Sequence, residues 1–115
     1  MPELYVRTSG ERGQPAVILL HGLFGSSTNW GSVAKRLASE YFVVVPDLRN
    51  HGNSPHVSEH GYPAMAADIL ELLDRLDLPE AALVGHSMGG KVAMRLALTQ
   101  GHRVSRLVVV DMAPV

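Results

Sequence analysis

The chain contains no cysteine, and aromatic residues make up only 5% of it. The lack of cysteine excludes disulfides, thiol nucleophiles and thiolate metal sites. Long apolar runs are also missing: the longest, such as residues 16–20 and 107–110, are far too short to span a bilayer. The opening MPELYVRTSG places Glu3 close to the terminus and has no apolar segment of signal-peptide type, so the expected location is the cytoplasm. Neither sign of charge dominates: 10 basic and 11 acidic residues leave a net charge of -1, which gives no footprint for nucleic acid. Neither G-x-x-x-x-G-K-[ST] nor G-x-G-x-x-G occurs, so no nucleotide-phosphate cradle is expected. No cofactor is expected, and the partner is a small molecule.

The 115 residues form an alternation of short apolar runs and helix-like stripes, without repeat, low-complexity tract or linker. AVILL (16–20), YFVVVP (41–46), AALVG (81–85) and RLVVVD (106–111) are nearly continuous in apolarity, as parallel strands covered on both faces must be. Residues 4–8 suit a leading edge strand. Between them, Trp30, Val33, Ala34 and Leu37 recur at helical spacing, as do Met65, Ile69, Leu72, Leu73 and Leu76. Ser27 suits the N-cap of the first helix, Pro63 the first turn of the second, and Gly101 stops a third that carries Val92, Ala93 and Leu96. The expected class is therefore α/β, a mostly parallel sheet with flanking helices. Ligand sites in such sheets lie beyond the carboxyl ends of the strands.

One of those ends reads Gly85-His86-Ser87-Met88-Gly89, a G-x-S-x-G between a buried strand and a helix. A serine raised on a sharp strand-to-helix turn is strained, and Gly85, Gly89 and Gly90 let strand and helix approach without Cβ collisions. The helix N-terminus brings unpaired N–H groups to the reacting atom, beginning with that of Met88, which can stabilise a developing oxyanion. Ser87 is therefore the candidate nucleophile. A second donor has to come from another loop, and HGLFGSSTNW (21–30) follows the first strong strand. Gly22 allows close approach, so the N–H of Leu23 is the second candidate; taken alone the segment is a glycine turn before a helix. Phe24 and His86 are candidate pocket residues, Trp30 fits the helix stripe, and His21 reads as a structural hydrogen-bonding residue.

Four motifs, HGLFGS at 21–26, DLRNHGNS at 47–54, GHSMGG at 85–90 and VVDMAPV at 109–115, together resemble the α/β-hydrolase family. The sequence is most similar to its YbfF-type esterases and mitochondrial abhydrolase-domain relatives, because Asn50-His51 occupies the middle of the usual D-x-R-G-x-G-x-S. The resemblance implies that the strands ending at Leu20 and Gly85 are neighbours. It implies that Ser87 attacks esters or thioesters, with the N–H groups of Leu23 and Met88 as oxyanion hole. It also implies that Arg49, Asn50 and Ser54 hold their loop beside the pocket.

In that family the nucleophile is followed by an acid and then a histidine. None of the six histidines here matches that histidine, so the chain is read as residues 1–115 of a single domain whose lid and C-terminal strands lie beyond it. Asp111, at a strand end, is a candidate acid and equally a turn-capping residue before Pro114. The strand at 106–111 would leave an open apolar edge for association. His51, His56 and His60, with Glu59, invite a metal reading, but Gly52 and Pro55 break any helix that would align them, and a solvated loop is the better account. Lys91, Arg95, His102, Arg103 and Arg106 form a basic patch that could meet the phosphates of a coenzyme A thioester, but the solvent face of a helix is the better account. The leading expectation is an ester or thioester hydrolase; an acyltransferase, a carbon–carbon bond hydrolase and a non-catalytic half-domain remain as alternatives.

Overall fold

The computed structural model describes residues 3–23, 25–58 and 60–110. Five strands form one sheet: β1 (Val6–Ser9), β2 (Ala16–Leu20), β3 (Phe42–Pro46), β4 (Ala81–His86) and β5 (Val104–Val110), in the order β1-β3-β2-β4-β5. All neighbours are parallel except β1, which runs antiparallel to β3 with Val6 opposite Pro46. Helices α1 (Gly31–Leu37), α2 (Tyr62–Arg75) and α3 (Met88–Thr99) supply the crossovers. Strands and helices alternate from β2 to β5, in the α/β class anticipated from the apolar runs.

Side chains on successive strand residues point to opposite faces, and the core divides accordingly. Ile18, Leu20 and Val44 pack with Met65, Ile69, Leu72 and Leu73 of α2 and with Val92 and Leu96 of α3. Val17, Leu19, Val43 and Val45 face the other way, against Trp30, Ala34 and Leu37 at α1. Both faces of β2 and β3 are therefore covered, which is why these segments read as unbroken apolar runs. Strand β5 differs. It forms the sheet edge, and Leu107 to Val110 are each 39–50% exposed, in line with the open apolar edge expected from the sequence.

The boundaries depart from expectation in a few places. The first helix is entered through a 3-10 turn, Ser27–Trp30, whose N-cap is Ser26 and not Ser27. Ser26 N–H donates to Asn29 Oδ1 at 2.9 Å. Ser27 is instead buried, its N–H donating to Asp47 Oδ1 at 2.6 Å and its Oγ accepting from Arg7 Nε at 3.1 Å. The third helix ends at Thr99 with Gln100 at its C-cap, and Gly101 opens a short 3-10 turn, Gly101–Arg103. Arg103 leaves the expected basic face by pairing with Asp74 at 2.9 Å and donating to the carbonyls of Leu78 and Pro79.

Candidate active site

From β2 the chain turns to β3 on one side, while β4 pairs with β2 on the other, with Leu20 opposite Gly85. This is the switch point of the sheet, and a crevice opens beyond the carboxyl ends of β2 and β4. Ser87 stands there, between β4 and α3, with φ 55° and ψ -113°. Such a conformation costs an L-residue on the order of 1–3 kcal/mol and persists only where its surroundings impose it. Here they do: the Ser87 N–H donates to Val110 O and its carbonyl accepts from Lys91 N–H, both at 3.2 Å. The side chain is exposed, and among the described residues its hydroxyl has no hydrogen-bond partner.

Two close approaches make the turn possible. A Cβ on Gly89 would lie 2.6 Å from the His21 carbonyl oxygen and collide with that of Leu20 as well, and Gly85 packs as tightly on Gly89. A Cβ on Gly90 would come within 2.8 Å of Val109 Cγ1. On the opposite side, a Cβ on Gly22 would lie 2.9 Å from His86 Nδ1 and 3.3 Å from Ser87 Cβ. The two loops therefore meet at the serine. Leu23, which follows Gly22, is 54% exposed and borders two cavities. One, about 520 Å³, is bounded by Gly22, Trp30, His86 and Val110. The other, about 440 Å³, takes in Ser87 together with Leu23, Met65 and Met88, and also His60, Tyr62 and Lys91. His86 thus lines a cavity next to the serine; Phe24 and Asp111 lie outside the described residues.

His21 is held from both ring nitrogens. Leu48 N–H donates to Nε2 at 3.0 Å, so Nδ1 carries the proton and donates to Gly22 O at 2.7 Å. Burial lowers its pKa below the ordinary value, the bond to Gly22 opposes this, and nearby His51 adds to the lowering. A neutral, doubly bonded imidazole of this kind orients the loop at Gly22 and has no free nitrogen for a substrate.

The loop at 47–54 is more deeply built than its sequence suggested. Asp47 accepts from Ser27 N–H and, at 2.9 Å, from Asn53 N–H. Burial acts against its charge, but the hydrogen bonds from Asn53 and Ser27 outweigh it and hold the pKa below the ordinary value. Ser54 Oγ donates to the Asp47 carbonyl and accepts from Tyr5 N–H, tying the loop to the residues before β1. Arg49 forms a bidentate pair with Asp68 of α2, at 2.6 and 2.7 Å, with both side chains buried. Most of the described residues at 51–60, His56 and His60 among them, are exposed as a solvated loop should be, but His51 departs from that account: it is buried, with its Nδ1 2.9 Å from Arg49 O and its ring 5.1 Å from that of His21. Sequence reasoning missed Asp68 and gave His60 no place at the serine.

Fold and site thus define a doubly covered, mostly parallel sheet that presents a strained serine at its switch point. The chain belongs to the α/β-hydrolase fold family, whose model matches residues 15–114. It is 49% identical to the sn-1-specific diacylglycerol lipase ABHD11 of Mus musculus, over all of this chain and 38% of that protein. It is 43% identical to the esterase YbfF of Escherichia coli, covering 86% of this chain and 39% of the other. Among solved structures, a marine microorganism esterase superposes with a TM-score of 0.94 at 41% identity, over 99% of this chain and 43% of its own. The chain therefore spans about two fifths of the length of these relatives.

Proposed function

We propose that the protein is a serine hydrolase of carboxylic esters or acyl thioesters that works through an acyl-enzyme on Ser87. The observation that carries this reading is the Ser87 backbone at φ 55°, which raises an unbonded hydroxyl over a cavity at the N-terminus of α3. In this reading Oγ attacks the carbonyl carbon while a general base takes its proton. The tetrahedral oxyanion is met by the N–H groups of Met88, the first residue of α3, and Leu23, beyond Gly22. Collapse expels the alcohol or thiol, protonated by the same base, and water then releases the acid by the reverse sequence. The esterase and lipase names of the relatives support ester substrates.

The base in this proposal is a histidine from outside residues 1–115, oriented by an acid for which Asp111 is the candidate. Two observations favour this assignment. Both nitrogens of His21 are engaged, and Val110, the residue before Asp111 in sequence, pairs with His86 and accepts the Ser87 N–H. We read residues 1–115 as the N-terminal part of one catalytic domain. The test is fluorophosphonate labelling of the complete protein: Ser87→Ala abolishes it, and equal labelling of the variant removes Ser87 from its role. Product analysis with added acceptor alcohols then separates hydrolysis from acyl transfer.

A further inference from the structure

The cavity at Ser87 has a polar wall that hydrolysis of a simple ester does not use. Lys91 lies one turn into α3, where the helix dipole disfavours a cation. Among the described residues it has no carboxylate partner; its ammonium sits 5.8 Å above the Tyr62 ring, which brings the first turns of α2 and α3 together. Lys91 is exposed and lines the cavity, so its ammonium is open to an anion bound beside the nucleophile.

His60 completes the wall, and its protonation pattern can be deduced. Val57 N–H donates to Asn50 Oδ1 at 2.6 Å, which fixes the Asn50 amide with its Nδ2 toward His60 Nδ1, 3.0 Å away. Nδ2 can only donate, so Nδ1 accepts and the proton of the neutral ring is on Nε2. Asn50 is itself held at φ 65° with its N–H on the Pro55 carbonyl. The residue that sets this motif apart from the usual D-x-R-G-x-G-x-S therefore presents His60 as a hydrogen-bond donor. His60 Nε2–H, the Tyr62 hydroxyl and the Lys91 ammonium all offer protons, and no carboxylate lines the cavity among the described residues.

Building on the reading of Ser87 as nucleophile, we propose that this wall selects esters carrying an anionic group, a carboxylate or a phosphate, a few atoms from the scissile carbonyl. Leu23, Met65 and Met88 supply the apolar surface for the connecting chain. Lys91 and His60 are specificity-determining residues, and Asn50 is a positioning residue that acts through His60.

Matched pairs of substrates test this on the complete protein: monomethyl adipate against methyl hexanoate, and 1-butanoylglycerol 3-phosphate against 1-butanoylglycerol. The wild type is expected to favour the anionic member of at least one pair by about tenfold in kcat/KM, as a charge-assisted hydrogen bond would give. Which pair responds tells whether the anion is carried on the acyl or the alcohol side. Lys91→Met, which keeps the stem, collapses that ratio, and Lys91→Arg restores most of it; a ratio near one in the wild type, or one unchanged in Lys91→Met, overturns the proposal. Calorimetric binding of N-methyladipamate against N-methylhexanamide reads the wall without turnover. If Ser87 resists fluorophosphonate while the adipamate binds in a Lys91-dependent way, the nucleophile reading falls and the anion site stands. If Ser87 is labelled but neither anion is preferred or bound, the anion site falls alone.

Discussion

Strands β3 and β4, on either side of β2, each end in a loop bent through a non-glycine residue with positive φ: Asn50 at 65° and Ser87 at 55°. In the first loop the side chains hold the bend. Asn50 bonds Val57 and His60, Asp47 bonds Ser27 and Asn53, and Arg49 closes on Asp68. In the second the backbone alone holds it, through Val110 O, Lys91 N–H and glycines that fit against carbonyls, and the Ser87 hydroxyl has no bond to any described residue. Strain that a side chain absorbs fixes structure. Strain that leaves the side chain unbonded keeps it available for chemistry.

The largest expected effect separates the two loops most sharply. In the complete protein, Ser87→Ala is expected to lower ester turnover by about a millionfold, as loss of a serine nucleophile does in a triad enzyme. Its urea midpoint should stay where it was, because alanine and serine bear the positive φ equally badly. A large loss of stability in this variant would show that the hydroxyl is structural after all and would erase the contrast. Gly89→Ala comes next. Its Cβ would strike the backbone carbonyls of Leu20, the last residue of the buried strand β2, and of His21 just beyond it, so it should cost more than about 4 kcal/mol by urea denaturation.

Asp68→Asn probes the other loop. It leaves Arg49 buried beside a neutral amide, and breaking a buried pair in this way costs about 3–5 kcal/mol. Fluorophosphonate labelling of the folded fraction should persist, since Asp68 touches neither Ser87 nor the loop at Gly22. A variant that keeps its stability but loses labelling would reverse the roles assigned to the two loops.

The sequence carried the elements in which local and global demands coincide. Residues 16–20 are apolar at every position because both sheet faces are covered, and the glycines around Ser87 are legible because a Cβ fails there in any such turn. Partners far apart in the chain were not legible. Ser26 and Ser27 are equally good caps in isolation, and what decides between them is Asp47, twenty residues on, which claims the Ser27 N–H. Asp68 sits within the apolar stripe of α2 because Arg49 neutralises it, and His51 is buried because His21 packs against its ring. His60 gains its place through Asn50, ten residues away, and no periodicity encodes that bond. Strand β5 begins at Val104, two residues before the apolar run, because pairing with β4 and not hydropathy sets its start.

The smallest effect concerns pH, and it divides the two loops by the groups that titrate. His21, beneath the loop at Gly22, has its pKa lowered by burial from an ordinary value of 6.5. As pH falls past that value the unfolded chain takes up the proton first, so the stability that neutral His21 contributes is whole above it and declines toward the folded-state pKa. Asp47 also has a lowered pKa, because the N–H groups of Asn53 and Ser27 overcome its burial, and its ordinary value is 3.8. Its contribution is therefore whole above that value and is lost only in stronger acid. A urea midpoint followed from about pH 8 down to about pH 3 should fall in two limbs. His21→Gln is expected to flatten the upper limb and leave the lower one, and Asp47→Asn to do the reverse. If both variants change the same limb, the two loops unlatch as one unit, and the division between a structural loop and a reactive one does not extend to their response to acid.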